Sequence, residues 1–301
     1  MKHSLPPSKA TTHKPKPAPA PTPLLPALRP HPFSGRIKLV AIDLDGTLLT
    51  STKTISPTTH RALRAALAKG VKIILATARP PRSVRHYYHA LKLDTPTINY
   101  NGALIWDEPN QRVIEHTPLA ADLARKIITL ARKRFPEILV SVEILDKWYT
   151  DHFDENPDFM TETGKHFAPN FIGPIEAFLT VPITKLMLLG KPEWIHAVER
   201  ALPRRFGHTV TFTRSDNFLL QIMSPGVSKA VALQHVAKLL KIDSRNVLAI
   251  GDAPNDIHMM QWAGLAIAPQ NAWPIAKTAA HYLVPSNDDD GIATALKRFV
   301  L

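Results

Sequence analysis

The stretch Ile37-Lys38-Leu39-Val40-Ala41-Ile42-Asp43-Leu44-Asp45-Gly46-Thr47 decides how this chain reads. Its apolar first half has the length and composition of a short buried strand, and the strand runs straight into two carboxylates one residue apart. Gly46 then lets the chain turn sharply without a side-chain clash. Taken alone, Asp-x-Asp-Gly is a common turn. A calcium loop also begins Asp-x-Asp, but its glycine stands at the sixth position and a glutamate at the twelfth. Here the glycine is fourth and the twelfth residue is Thr54, so that reading fails.

Working outward, the pattern repeats. Ser56-Pro57 is an N-cap followed by proline at the first helical position, with Leu63, Ala66 and Leu67 on one face and Gly70 as the stop. Val71 to Ala76 predicts a second apolar strand, ending at Thr77-Ala78-Arg79-Pro80. Val84, Tyr87, Tyr88 and Leu91 fall at helical spacing, and a third strand follows at Thr97 to Tyr100. Such alternation implies a parallel sheet with right-handed crossovers. The C-terminal part has the same rhythm: a helix over 230–240, a strand over 246–250, a helix over 256–262 stopped by Gly264, strands over 265–268 and 282–284, and a helix over 292–299.

The middle differs. A helix over 119–135 and alternating strands over 138–144, 185–189 and 209–213 predict an α+β segment with antiparallel strands. The expected fold class is therefore α/β. A Rossmann-like parallel-sheet core is formed by 36–116 and 225–301, 117–224 is inserted between them, and 1–35 is a tail.

Composition fits this division. Ten of the 28 prolines lie between Pro6 and Pro32, in a stretch that cannot form a hydrogen-bond ladder and reads as extended and solvated. Residues 1–42 carry seven Lys and Arg and no acid, which leaves +5 of the net +12 for the other 259 residues. The body is only mildly basic, as suits capture of anionic substrates. With no cysteine there are no disulfides, zinc thiolates or cysteine nucleophiles. No run approaches the ~18 apolar residues of a membrane span, and prolines interrupt the only candidate secretory core, Leu24 to Leu28. The tail lacks acid, as transit peptides do, but it is poor in Arg and Ser. A cytoplasmic location is expected.

Ligands of open parallel sheets bind at the carboxyl ends of the strands. Four such ends carry useful groups: Asp43 and Asp45, then Thr77, then Asn101, then Asp252, Asn255 and Asp256, with Lys229 opening the helix before the last strand. Individually each has an ordinary explanation, as turn former, helix cap or surface lysine. Together they meet the needs of phosphate-ester hydrolysis. A carboxylate attacking a phosphate dianion requires positive charge beside it, which Mg²⁺ on Asp43 and Asp252, together with Lys229, supplies. Thr77 offers a hydroxyl to the phosphate. Asp45 is placed to protonate the leaving oxygen and then to activate water.

At this point the sequence resembles the haloacid dehalogenase superfamily, in particular its Cof-type, class IIB phosphatases, over about 36–301. The resemblance rests on Asp43-Leu44-Asp45-Gly46-Thr47-Leu48-Leu49, Thr77-Ala78-Arg79, Lys229 after Pro-Gly-Val-Ser, and Gly251-Asp252-Ala253-Pro254-Asn255-Asp256. Asn101-Gly102-Ala103, Asn271-Ala272 and Asp290-Gly291-Ile292-Ala293 are similar too. It implies an aspartyl-phosphate at Asp43, Asp45 as general acid and base, and Mg²⁺ held by Asp43, the Asp45 carbonyl and Asp252, with Asp256 close by. It further implies phosphate binding by Thr77, Lys229 and Asn255, and a substrate region at Arg79, Asn101 and Asn271. The insertion becomes a class IIB cap that closes over the crevice and selects substrate. Ala78 stands where the family commonly has glycine, and Ala230 where glycine often follows the lysine; neither removes a catalytic group.

Small-molecule phosphate esters, namely sugar phosphates or phosphorylated cofactors, are the expected partners, and nucleic acid is not. A phosphotransferase or phosphomutase of the same superfamily is the nearest alternative. Binding of anionic polymers through the basic tail is a second, although no aromatic interleaves its charges before Phe33. Candidate cap residues for substrate contact are Trp148, Tyr149, His152, Phe153, His166 and Phe167, each equally a candidate for the cap core.

Overall fold

The structure is a computed structural model that describes residues 33, 35–152 and 161–301. The Pro- and Lys-rich tail before Phe33, and Phe153, lie outside the described residues. The chain begins with β1 (Leu39–Ile42), and α1 (Pro57–Ala68) follows, with the Ser56 hydroxyl accepting from the Thr59 N–H at 3.0 Å. Next come β2 (Lys72–Leu75), α2 (Pro81–Leu91), β3 (Thr97–Asn99) and a hairpin of β4 (Leu104–Asp107) with β5 (Arg112–His116). The central part contains α3 (Ala121–Arg134), β6 (Leu139–Ile144), β7 (Lys147–Thr150), β8 (Phe171–Ile172) and β9 (Lys185–Leu189). It continues with α4 (Pro192–Phe206), β10 (Thr211–Asp216) and β11 (Leu219–Met223). The last part is α5 (Lys229–Leu239), β12 (Val247–Ile250), α6 (Ile257–Trp262), β13 (Leu265–Pro269), α7 (Pro274–Ala279), β14 (Tyr282–Val284) and α8 (Gly291–Phe299).

The core sheet has the order β14-β13-β12-β1-β2, with every pairing parallel. β1 is central, so both its faces are covered. Val40 and Ile42 enter one apolar cluster with Leu63, Leu75 and Leu296, while Leu39 and Ala41 enter another with Leu233, Val236 and Met260. This two-sided burial is why the strand reads as an unbroken apolar run. The third strand departs from expectation. β3 touches the parallel sheet through one bridge, Ala76 to Ile98, and its own ladder is antiparallel with β4. The bridge and the bond from the Thr77 N–H to the Ile98 carbonyl (2.8 Å) are enough to bring the end of β3 beside the end of β2.

A second sheet, β10-β11-β9-β6-β7-β8, is antiparallel apart from the pair β7 and β8. One face buries Val140, Val142, Leu186, Leu188 and Ile222 against Ile127 of α3 and Ile195 of α4. Residues on the other face, among them Ser141, Glu143, Lys185, Met187 and Gln221, look into a cavity shared with the ends of the core strands. The period of two along each strand thus separates a packing face from a ligand-facing one. The expected strand at 209–213 begins only at Thr211, because Gly207–Thr209 forms a 3₁₀ turn that completes α4.

Candidate active site

Asp43 follows the last residue of β1, and Asp252 follows β12 by two residues; the strands are register partners, so their ends lie side by side. Asp256 comes round on the turn before α6. Carboxylate oxygens of Asp43, Asp252 and Asp256, all buried, lie within 4.8 Å of one another. Lys229, at the first turn of α5 and fully buried, donates to Asp43 Oδ1 at 2.5 Å and to Asp256 Oδ1 at 2.7 Å. The other Asp256 oxygen accepts from the N–H groups of Asp252 (3.1 Å) and Ala253 (3.0 Å). Asp256 is therefore occupied in fixing Lys229 and the loop, while Asp252 Oδ1 accepts one bond from the Thr47 hydroxyl at 2.7 Å. Gly46, at φ +78°, brings the chain so close that a Cβ would stand 2.5 Å from Asp252 Oδ2.

The electrostatics follow from crowding. Burial pushes Asp43 well above the usual carboxylate range; Lys229 pulls the other way, and the charges of Asp256 and Asp252 push further up. Asp252 is raised to about 6, chiefly by burial, with the Thr47 hydrogen bond opposing. Burial would lower Lys229, but the Asp256 and Asp43 charges overcome it and keep the ammonium protonated. One lysine faces three carboxylates, all hard oxygen donors, and this donor set fits a divalent cation such as Mg²⁺.

Asp45 behaves differently. Burial alone would raise it, yet hydrogen bonds and charge from Arg79, then Lys53, hold it below its ordinary value. Lys53 Nζ donates to Asp45 Oδ1 at 2.8 Å. Thr77 is buried, and its hydroxyl oxygen accepts from the Arg79 N–H at 3.1 Å. Asn101 Oδ1 accepts from Asn255 Nδ2 at 2.9 Å, whereas the buried Asn101 Nδ2 has no hydrogen-bond partner among the described residues.

Asp43, Asp45, Thr77, Arg79, Asn101, Lys229 and Asn255 line one cavity of about 1320 Å³, closed on its far side by the second sheet. Asp252 and Asp256 are outside this lining, with carboxylate oxygens within 4.8 Å of Asp43. Asn271 is not among the residues that line the cavity: its Nδ2 donates to the Gly46 carbonyl at 2.7 Å and its Oδ1 accepts from the Asn287 N–H, so it braces the loop that carries Asp45. Of the cap candidates, Trp148 and His152 line the cavity. Tyr149 stacks on Phe171 with centroids 4.8 Å apart, and neither His166 nor Phe167 belongs to the lining. Two contacts escaped the sequence reading, the Lys53 clamp on Asp45 and the Thr47 bond to Asp252; Thr47 lay inside the quoted motif and was the more visible of the two.

The profile of the haloacid dehalogenase-like hydrolases matches residues 40–296, a span that contains every one of these strand ends. The chain belongs to that family. Similar proteins include a Bacillus subtilis (strain 168) 5-amino-6-(5-phospho-D-ribitylamino)uracil phosphatase, 32% identical over 265 residues that cover 88% of this chain and 96% of the relative. A haloacid dehalogenase-like hydrolase from Bacteroides thetaiotaomicron has a solved structure that superposes with a TM-score of 0.79 at 25% identity, covering 87% of this chain and 99% of that one. The fold also matches the solved subclass IIB sugar phosphatase BT4131 (TM-score 0.74, 23% identity, 87% and 98% covered). As a member of the family the chain is a hydrolase, and its curated relatives are phosphatases. No described helix is long and apolar enough to cross a membrane.

Proposed function

We propose that this hydrolase cleaves a small-molecule phosphate monoester through an aspartyl-phosphate at Asp43, with Mg²⁺ held by Asp43, the Asp45 carbonyl and Asp252. The observation that carries the reading is the clustering of the Asp43, Asp252 and Asp256 carboxylates, two of them bound to Lys229, at the floor of a cavity faced by the second sheet. Bound Mg²⁺ would offset the repulsion between Asp43 and a phosphate dianion. Asp43 attacks phosphorus, an O–P bond forms, and the bond to the leaving oxygen breaks as Asp45 gives that oxygen a proton. Asp45, now a carboxylate, takes a proton from water; the water attacks phosphorus and the Asp43 O–P bond breaks, releasing phosphate.

Lys229 steers the Asp43 carboxylate and faces the incoming phosphate. The Thr77 hydroxyl and the unpartnered Asn101 Nδ2 are donors free to meet phosphate oxygens, with Asn255 orienting Asn101. Asp256 holds Lys229 in place in preference to serving as a ligand itself, since both its oxygens are taken. The cavity is large enough for a sugar phosphate or a phosphorylated cofactor, and the ester of the Bacillus subtilis relative, a phosphorylated ribityl chain on a uracil, is of this kind. The test is turnover of a phosphate-ester panel with Mg²⁺ and with EDTA, for the unsubstituted chain and Asp43→Asn. Release of phosphate that survives Asp43→Asn at full rate refutes the nucleophile.

A further inference from the structure

Lys185 and Lys229 are the two buried lysines among the described residues. Lys229 belongs to the catalytic floor; Lys185 has no part in the chemistry above. It projects from β9 of the cap into the cavity, with its ammonium 5.0 Å from the centroid of the Tyr100 ring. Tyr100 immediately precedes Asn101, so this charge stands at the cap edge of the phosphate crevice.

Lys185 faces Glu143 across the β6 and β9 pair, yet that carboxylate is already committed. Arg82 Nη2 and Nη1 donate to it at 2.7 and 3.0 Å, and the Tyr100 hydroxyl donates at 3.1 Å. No carboxylate of the described residues forms an ion pair with Lys185; Glu143 acts on it only from a distance, and burial draws the ammonium down to about 8. A buried cation without a contacting anion is costly, and an apolar side chain would fill this position more cheaply. An ammonium has three donors and no acceptor, so the group that satisfies it must bring oxygens, and in a desolvated cavity an anion complements it best.

We infer that Lys185 is the specificity-determining residue of the cap, and that the molecule it selects carries a second anionic group, a carboxylate or a phosphate, on the part that leaves. This rests on the phosphatase reading given above. The shared chemistry is a multiply charged phosphate ester whose second anion lies under β9 while its scissile phosphate lies at Asp43.

The test measures binding and turnover separately, on the full chain with Mg²⁺. Calorimetry on Asp43→Asn protein compares phosphogluconate with sorbitol phosphate for a carboxylate, and fructose bisphosphate with fructose phosphate for a phosphate. At least one doubly anionic ester should bind about tenfold tighter or more than its partner. Lys185→Met should erase that preference while leaving the singly charged ester within about twofold, and Lys185→Gln should do the same should the Met variant not fold. Equal affinities in both pairs overturn the inference, as does a Lys185 variant that weakens both members alike. A Lys185-dependent preference without turnover of any ester by the unsubstituted chain supports Lys185 and refutes the phosphatase; turnover without preference does the reverse.

Discussion

Arg79 grips Asp45 through both carboxylate oxygens, Nε donating to Oδ2 and Nη2 to Oδ1, each at 2.6 Å. The fork is the bidentate geometry that holds a carboxylate anionic, and Lys53 adds a third donor. The proposed general acid must carry a proton when the leaving group departs, and this fork opposes that protonation. In the proposed mechanism Asp45 would have to leave the fork, and the anionic oxygens of a bound ester would compete for Arg79.

Arg79→Met should raise the Asp45 pKa. A carboxylate whose folded pKa lies below its unfolded value adds stability above the unfolded pKa and loses it as pH falls through the folded one. The variant should therefore be less stable than the parent at pH 7 by no more than about 1 kcal/mol, since Asp45 is over a third exposed and solvent screens the pair. Denaturant melts at pH 7 and near pH 3 read the difference, which should shrink at the lower pH. A gap of the same size at both pH values would show that Arg79 acts by packing alone.

Gly102→Ala should damage the site from behind. Gly102 has φ +102°, and a Cβ there would stand 2.3 Å from the Ser228 carbonyl, the residue that caps α5 ahead of Lys229. Backbone cannot yield as a flexible side chain would, so a loss of about 2 kcal/mol or more is expected. Asn101 and Lys229 should separate in consequence. A fall in kcat beyond the fall in folded fraction, measured on the same sample by circular dichroism and phosphate release, would register that coupling; a stable, fully active variant would contradict it.

Asp43→Asn should retain the fold and lose turnover. Removing one buried carboxylate from three relieves repulsion, so its melting temperature in EDTA should equal or exceed the parent's. Loss of activity with a lowered melting temperature would instead mark Asp43 as structural support for Lys229.

The parallel core was legible because β1, β2 and β12 are buried on both faces and end in polar groups, giving apolar runs with abrupt stops. Phosphate chemistry was legible because Asp43, Asp45, Asp252 and Asp256 sit at such stops in family order. The β4–β5 hairpin was not, since β5 (Arg112-Val113-Ile114-Glu115-His116) is exposed or half-buried and carries little apolar signal. Helix α4 was missed with Pro203 inside its last turn, a residue that ordinarily argues against a helix. Lys53 and Asn271 depend on loop conformation: Lys53 reaches Asp45 from a backbone at φ +59°, and Asn271 turns toward Gly46. Lys185 was hidden inside an apolar strand, where only pairing with β6 shows which face it takes.

Removal of Mg²⁺ should cost stability in a pH-dependent way whose sign follows from Asp252. Its folded pKa is raised from 3.8 to about 6, so the folded protein keeps a proton that the unfolded chain releases. That stability is fully present below the unfolded pKa and is lost as pH rises through about 6, on the order of 3 kcal/mol for a shift of this size. Asp43 shifts in the same direction. Lys229, raised well above its ordinary value, stays charged throughout and leaves the slope unchanged. In EDTA the contribution of Asp252 should fall between about pH 4 and pH 6. Bound Mg²⁺ takes the oxygens in their ionised form, so the gain in melting temperature from Mg²⁺ should be large at about pH 7.5 and small at about pH 5. Asp252→Asn removes both the titrating group and a proposed ligand, and should flatten the difference at both pH values. Thermal melts in Mg²⁺ and EDTA for parent and variant decide it. An Mg²⁺ increment equal at the two pH values, or one retained by Asp252→Asn, would place the cation elsewhere than on these carboxylates.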